Sequence, residues 1–241
     1  VELLLMSNST NHGSRRFGHA REELRDFYGD AEVLFVPYAL ADHDSYTAAV
    51  AESFAEAGVR VRGVHTVSDP AAALAEAAGI FVGGGNSFRL LRALQRGGLI
   101  EAIRTAVGRG ARYGGASAGT NMACPTLRTT NDMPIVEPMG FATLGLIDFQ
   151  INPHYQDPIP DSSHMGESRQ QRIAEFLEEN DVPVLGLREG AWLRVSDDSI
   201  VLRGHTARLF RRDVPPEEWG VDADLSFLTG SARRFDNPAA S

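Results

Sequence analysis

Ser117 lies in the run "GGASAGTNMACP", and Gly115 to Gly119 reads G-x-S-x-G. In that pattern a serine occupies a sharp strand-to-helix turn, where small neighbours allow the bend. The alternative is a glycine-rich crossover with an incidental serine. A serine hydroxyl is a weak nucleophile until a base takes its proton. Of the seven histidines, His12, His19, His43, His65, His164 and His205 have bland loop or polar-face surroundings. His154, in "INPHY", follows an apolar run beside the stiffening Pro153. A base histidine needs an acid to fix its tautomer and orientation. Two carboxylates qualify, Asp132 in the polar loop "RTTNDMPIVEP" and Glu189 in "LREGAW". Triads are defined by geometry rather than chain order, so both stay open.

A second glycine-rich run, "VGGGNSF", ends an apolar segment and precedes a helical pattern. Glycines bare the backbone, and a helix N-terminus adds a positive dipole end. Such a loop can cradle a phosphate, or supply one N–H of an oxyanion hole to join that of Ala118. The G-x-G-x-x-G spacing is missing and no Lys-Ser/Thr follows, which weighs against phosphate. Gly84 and Asn86 here are candidate substrate contacts, although Asn86 or Ser87 could simply cap the helix. The single cysteine, Cys124, reads as a small core residue more than a nucleophile. No H-E-x-x-H and no Cys/His cluster with ligand spacing is present, so no catalytic metal is expected.

The elements needed to position these residues are legible as periodicity. "VELLLMS", "EVLFVPYA", "VRVRGVHTV", "IFVGGG" and "RYGGAS" read as strands, separated by amphipathic helical stretches. One of these, "DPAAALAEAAG", opens on Asp-Pro and closes on glycine, as helices do. That alternation predicts an α/β fold with a mostly parallel sheet covered on both faces, and serine at a strand's carboxyl end. Beyond Ser117 a loop spans roughly 125 to 138, and "GLIDFQINPHY" is a strand ending at His154. "ESRQQRIAEFLEEN" is a helix. "VPVLGLREGAWLRV" and "SIVLRGHTARLFRR" look like consecutive strands of an antiparallel extension. Residues 1–230 are expected to form one catalytic domain, with 231–241 a frayed tail.

The chain has 241 residues, 43% hydrophobic and 23% charged, which is ordinary for a globular protein. Its net charge of −9 disfavours nucleic acid and anionic membrane surfaces, and an acidic substrate would need a local cation. One cysteine allows no internal disulfide, and neither a signal-like start nor a membrane-length apolar run is seen. A cytoplasmic location is therefore expected, as a monomer or a homodimer.

The segments "ELLLMSNST", "VGGGNSF", "SAGTNMACPTLRTTNDMPIV", "QINPHY", "GESRQQRI" and "GLREGAW" together resemble the peptidase E (alpha-aspartyl dipeptidase) family of serine peptidases, whose wider relations include cyanophycinase. The resemblance runs in family order to about residue 210. It implies a three-layer α/β/α sandwich like that of class I glutamine amidotransferases, and cleavage of Asp-Xaa dipeptides without metal or cofactor. It also implies Ser117 as nucleophile, His154 as base, Asp132 or Glu189 as the acid, and Gly85 and Ala118 as oxyanion donors. Arg169 matches the arginine associated with the aspartyl side chain. Independently, Arg169 shares a helix face with Ile173, Phe176 and Leu177, so it projects from the first turn of a buried face. There it is either a snorkelling surface arginine or a guanidinium fork for a carboxylate. Two rivals remain, a cyanophycinase-like peptidase for β-linked aspartyl-arginine and an inactive protein that binds an acidic metabolite.

Overall fold

The structure is a computed structural model describing residues 1–158, 166–197 and 199–236. It opens with β1 (Glu2–Met6), α1 (Arg21–Tyr28), β2 (Val33–Val36), α2 (His43–Ala55), β3 (Val61–Gly63) and α3 (Pro70–Ala75). There follow β4 (Gly79–Val82), α4 (Ser87–Arg96), α5 (Leu99–Gly108), β5 (Arg112–Ala116) and α6 (Ala118–Ala123). The second half holds β6 (Gln150–Tyr155), α7 (Arg169–Glu179), β7 (Val184–Arg188), β8 (Trp192–Ser196) and β9 (Ser199–Arg203), then β10 (Ala207–Arg211) and β11 (Val214–Trp219).

The expected parallel sheet is present, in the order β3-β2-β4-β5-β1-β8-β9. Strands β3 to β1 run parallel, and β8 and β9 extend the edge antiparallel. The strand β1 explains why these segments read as unbroken apolar runs. Leu3 and Leu5 join a core shared with α3 to α6, while Leu4 and Met6 join one shared with α1 and α2. A strand buried on both faces has no polar side to alternate. At the start of α3, Asp69 accepts from the Ala72 N–H at 3.0 Å and Pro70 takes the first position, as the Asp-Pro signal predicts. The strand "VRVRGVHTV" is shorter than expected. The Thr66 hydroxyl donates to the Gly63 carbonyl at 2.8 Å and folds Val64–Thr66 into a tight turn.

The larger departure lies in the C-terminal half. Each of the two long apolar runs is two strands in different sheets. After β7 the chain turns at Gly190 and enters the main sheet as β8; after β9 it turns at Gly204 and leaves as β10. A second sheet, ordered β11-β10-β7-β6, results. Its β6–β7 pair is parallel and the others are antiparallel. One face of this sheet joins the main core through Ile151, Leu185, Leu187 and Leu209. The other packs Tyr155, Val184 and Phe210 against Ile173 and Leu177 of α7. Of the expected frayed tail, residues 237–241 lie outside the described residues. Residues 231–236 are held: Arg234 and Asp181 exchange backbone hydrogen bonds of 2.8 and 3.2 Å, and Arg128 pairs with Asp236. No helix among the described residues is long and apolar enough to cross a membrane.

The tightest packing in the sheet is at the turn after β5. A Cβ on Gly119 would stand 2.0 Å from the Val82 carbonyl oxygen, and one on Gly115 would stand 2.5 Å from the Gly119 carbonyl. Both glycines of G-x-S-x-G are therefore required because backbone meets backbone, with no flexible side chain to move aside. Gly119→Ala is expected to destabilise the fold by more than about 2 kcal/mol. Thermal unfolding checks this, and a wild-type midpoint would contradict it.

Candidate active site

Ser117 caps α6 directly beyond β5, with φ 52° and ψ −111°. A non-glycine residue at positive φ is strained and persists only where its surroundings enforce it. Here the Ser117 N–H donates to the Met6 carbonyl at 3.1 Å, which pins the elbow to the end of β1.

His154 is also at positive φ, 54°. It interrupts the β6–β7 register between Pro153 and Tyr155. An extra residue in a ladder re-aims its side chain. The freed N–H of His154 donates to the Ser7 hydroxyl at 2.9 Å, and that hydroxyl donates to the Leu187 carbonyl at 2.7 Å. Ser7 is fully buried just past β1. It therefore ties the two sheets together where the histidine departs from the ladder.

The histidine ring bridges two partners. Its Nε2 is 3.0 Å from the Ser117 Oγ, and its Nδ1 is 2.8 Å from the Glu189 Oε1. A carboxylate only accepts, so Nδ1 carries the hydrogen and Nε2 is left to accept from the serine. Glu189 directly follows β7, the parallel neighbour of β6, so both side chains emerge at carboxyl ends. The residue before it, Arg188, chelates Asp157 at 2.8 and 2.9 Å and also reaches Glu218 at 2.9 Å. These carboxylates hold the guanidinium pKa above its ordinary value. The network ties the chain on either side of the His154–Glu189 pair.

Asp132 is placed elsewhere. Its Oδ2 accepts from the Ser87 N–H at 2.8 Å, at the first turn of α4. As one of the two candidate acids, it is not the carboxylate the fold brings to His154. Asn86 likewise takes the capping role. Its side-chain oxygen accepts from the Arg89 N–H at 3.0 Å and its amide donates to the Met133 carbonyl at 2.8 Å. This is the capping use that the sequence also allowed. Arg169 opens α7, half-buried, with Ile173 and Leu177 on the buried face as the spacing predicts. Burial and the nearby Arg172 lower its pKa, while the Asp132 charge opposes that shift.

The candidate oxyanion donors flank the serine. Ala118 begins α6, and Gly84 packs so closely that a Cβ there would be 3.2 Å from the Ser117 Cβ. The Gly85 N–H has no partner among the described residues. Its peptide plane is fixed from behind, because the Tyr46 hydroxyl donates to the Gly84 carbonyl at 3.1 Å. In a trans peptide the C=O and the following N–H point opposite ways, so this contact aims the Gly85 N–H. A pocket of about 240 Å³ opens over Gly84, Gly85, Ser117 and His154, with Arg16 and Tyr46 also on its wall.

Sequence reading missed Ser7, Arg16 and Tyr46: Ser7 lies in the segment "ELLLMSNST" but was given no role there, and Arg16 and Tyr46 lie in no recognised motif. It also gave His19 and His65 bland loop or polar-face surroundings. His19 is half-buried beside Trp192, and that burial lowers its pKa, while His65 bonds Asp44 at 2.8 Å. His164 lies outside the described residues. Cys124 is fully buried, and burial pushes its thiol up to about 12. Among the described residues no three His, Cys, Asp or Glu side chains gather in one place to hold a metal.

An elbow serine, a histidine and a carboxylate in line, at the carboxyl ends of an α/β sheet, are the arrangement of a serine hydrolase. Comparison with known proteins gives the family. The profile of Peptidase family S51 matches residues 3–203, and the chain belongs to that family. "Peptidase E" of Streptomyces coelicolor is 60% identical over all of both chains. "Probable alpha-aspartyl dipeptidase" of Drosophila melanogaster is 49% identical over 94% of this chain and 96% of its own. The crystal structure of a peptidase from an acI-B1 Actinobacterium has the same fold, with a TM-score of 0.67 at 16% identity over 94% of this chain and 96% of that one.

Two outcomes follow from this geometry. Ser7→Ala removes the acceptor of the His154 N–H, and kcat is expected to fall about tenfold through a buried unsatisfied donor beside the base. Steady-state kinetics with a matched unfolding curve checks it, and an unchanged kcat would contradict it. Iodoacetamide at pH 8 is expected to leave the folded protein unmodified and to label Cys124 only after unfolding. Mass spectrometry distinguishes the two states, and rapid native labelling would contradict the burial.

Proposed function

We propose that the chain is a serine-type dipeptidase that hydrolyses Asp-Xaa dipeptides through an acyl-enzyme. The observation that carries the chemistry is the unbroken contact Ser117–His154–Glu189. The substrate class rests on the relatives named peptidase E and alpha-aspartyl dipeptidase.

Ser117 attacks the peptide carbonyl as His154 Nε2 takes the hydroxyl proton. The carbonyl oxygen becomes an oxyanion facing the N–H groups of Gly85 and Ala118. The tetrahedral intermediate collapses with loss of the C–N bond, and Nε2 gives its proton to the leaving amine. Water, deprotonated by the same nitrogen, then cleaves the aspartyl ester and restores Ser117. Glu189 holds the ring and stabilises the imidazolium that each step forms. Arg169 receives the aspartyl side chain, and a guanidinium fork suits a carboxylate. Asp132 acts beside it by fixing the start of α4 and balancing the Arg169 charge.

The test is release of free aspartate from Asp-Leu, with Glu-Leu and Ala-Leu as controls. Cleavage of Asp-Leu alone is expected, with a loss of about 10⁴-fold or more in Ser117→Ala. Near-normal turnover by that variant would contradict the assignment. Glu189→Gln is expected to lower kcat by about 100-fold or more, and Asp132→Asn by less. The opposite ranking would make Asp132 the acid.

A further inference from the structure

We infer that Arg16 binds the C-terminal carboxylate of the dipeptide and so selects substrates whose leaving group is a free amino acid. This rests on the dipeptidase reading and adds a second anion subsite to it. Such a substrate brings two carboxylates, one on the aspartyl side chain and one at its C-terminus. A chain of net charge −9 must supply a cation for each.

Arg16 is half-buried on the wall of the pocket that Ser117 and His154 line. Its neighbours along the chain are engaged elsewhere, since Arg15 and Arg21 share the Glu56 carboxylate. Arg16 has no carboxylate partner among the described residues; its guanidinium carbon lies over the Tyr46 ring, 5.5 Å from the centroid. A guanidinium held against a ring face by cation–π attraction still has N–H groups to offer a carboxylate.

The next residue fixes its position. Phe17 is 2% exposed, with ring centroids 5.3 Å from both Phe54 and Phe81. Its N–H donates to the Ser9 carbonyl at 2.6 Å, which closes the loop that follows β1. Arg16 is thus held at the pocket by a buried anchor.

His154 must hand its proton to the leaving amine, so the pocket it lines receives the leaving residue. Arg16 lines that pocket, whereas Arg169 and Asp132 are not among its lining residues. The two cations therefore serve opposite ends of the substrate. The Arg16 contact also reaches the reaction centre, because the Tyr46 it lies over donates to the Gly84 carbonyl, whose peptide carries the Gly85 N–H.

The experiment compares kcat/KM for Asp-Leu and Asp-leucinamide, which differ only in the terminal charge. The wild type is expected to prefer Asp-Leu by about tenfold, the worth of one partly exposed charge-assisted pair. In Arg16→Met this ratio is expected to fall below about threefold, while the preference for Asp-Leu over Asn-Leu stays. A wild type that does not discriminate, or a variant that keeps the wild-type ratio, overturns the inference. A variant that loses the Asp-over-Asn preference instead would place Arg16 at the aspartyl side chain and also overturn it. If the wild type does not cleave Asp-Leu, the dipeptidase reading fails first and the subsite with it.

Discussion

The site depends on one junction between two sheets. Ser117 follows a strand of the main sheet and His154 interrupts a strand of the second. Nothing within either sheet alone brings them to 3.0 Å. Beyond the shared core, the buried Ser7 hydroxyl links them, standing at the end of β1 while bonding Leu187 of β7 and the backbone of His154. The Ser7 N–H also donates to the Ala191 carbonyl at 2.9 Å, and the Asn8 side chain accepts from Gly190 at 2.8 Å. The end of β1 is therefore the common reference for nucleophile, base and acid.

Both reacting residues sit at positive φ, a strain of roughly 1–3 kcal/mol each. Close packing around them offsets it. Gly119 against Val82 leaves the elbow no room to relax, and the bulge at His154 is held by parallel pairing to β7 on either side. Reaction geometry is thus fixed before substrate arrives, which is the condition for electrostatic and positional catalysis.

The parallel sheet was readable because strands buried on both faces leave apolar runs, and caps such as Asp69 and Asn86 have local signatures. Ser117 was readable because its elbow needs small residues at fixed offsets. The choice between Glu189 and Asp132 was not, since it turns on which loop faces the second sheet. The splitting of the two C-terminal runs hid for a related reason. Apolar character continues through Gly190 and Gly204, and only the sheet assignment changes. Ser7 and Arg16 act through long-range contacts: "SNST" is part of the resemblance without saying what its serine does, and "SRRF" carries no pattern at all. An Arg-Arg pair in a glycine- and serine-containing stretch looks like a solvated surface until Phe17 is seen to be buried.

The most direct test of an assembled Ser117–His154 pair is covalent labelling with a fluorophosphonate, read by intact mass and peptide mapping. The account predicts one adduct, on Ser117, slowed by excess Asp-Leu and lost in His154→Ala. Labelling at another serine, or hydrolysis of Asp-Leu by a protein whose Ser117 stays unlabelled, would contradict it.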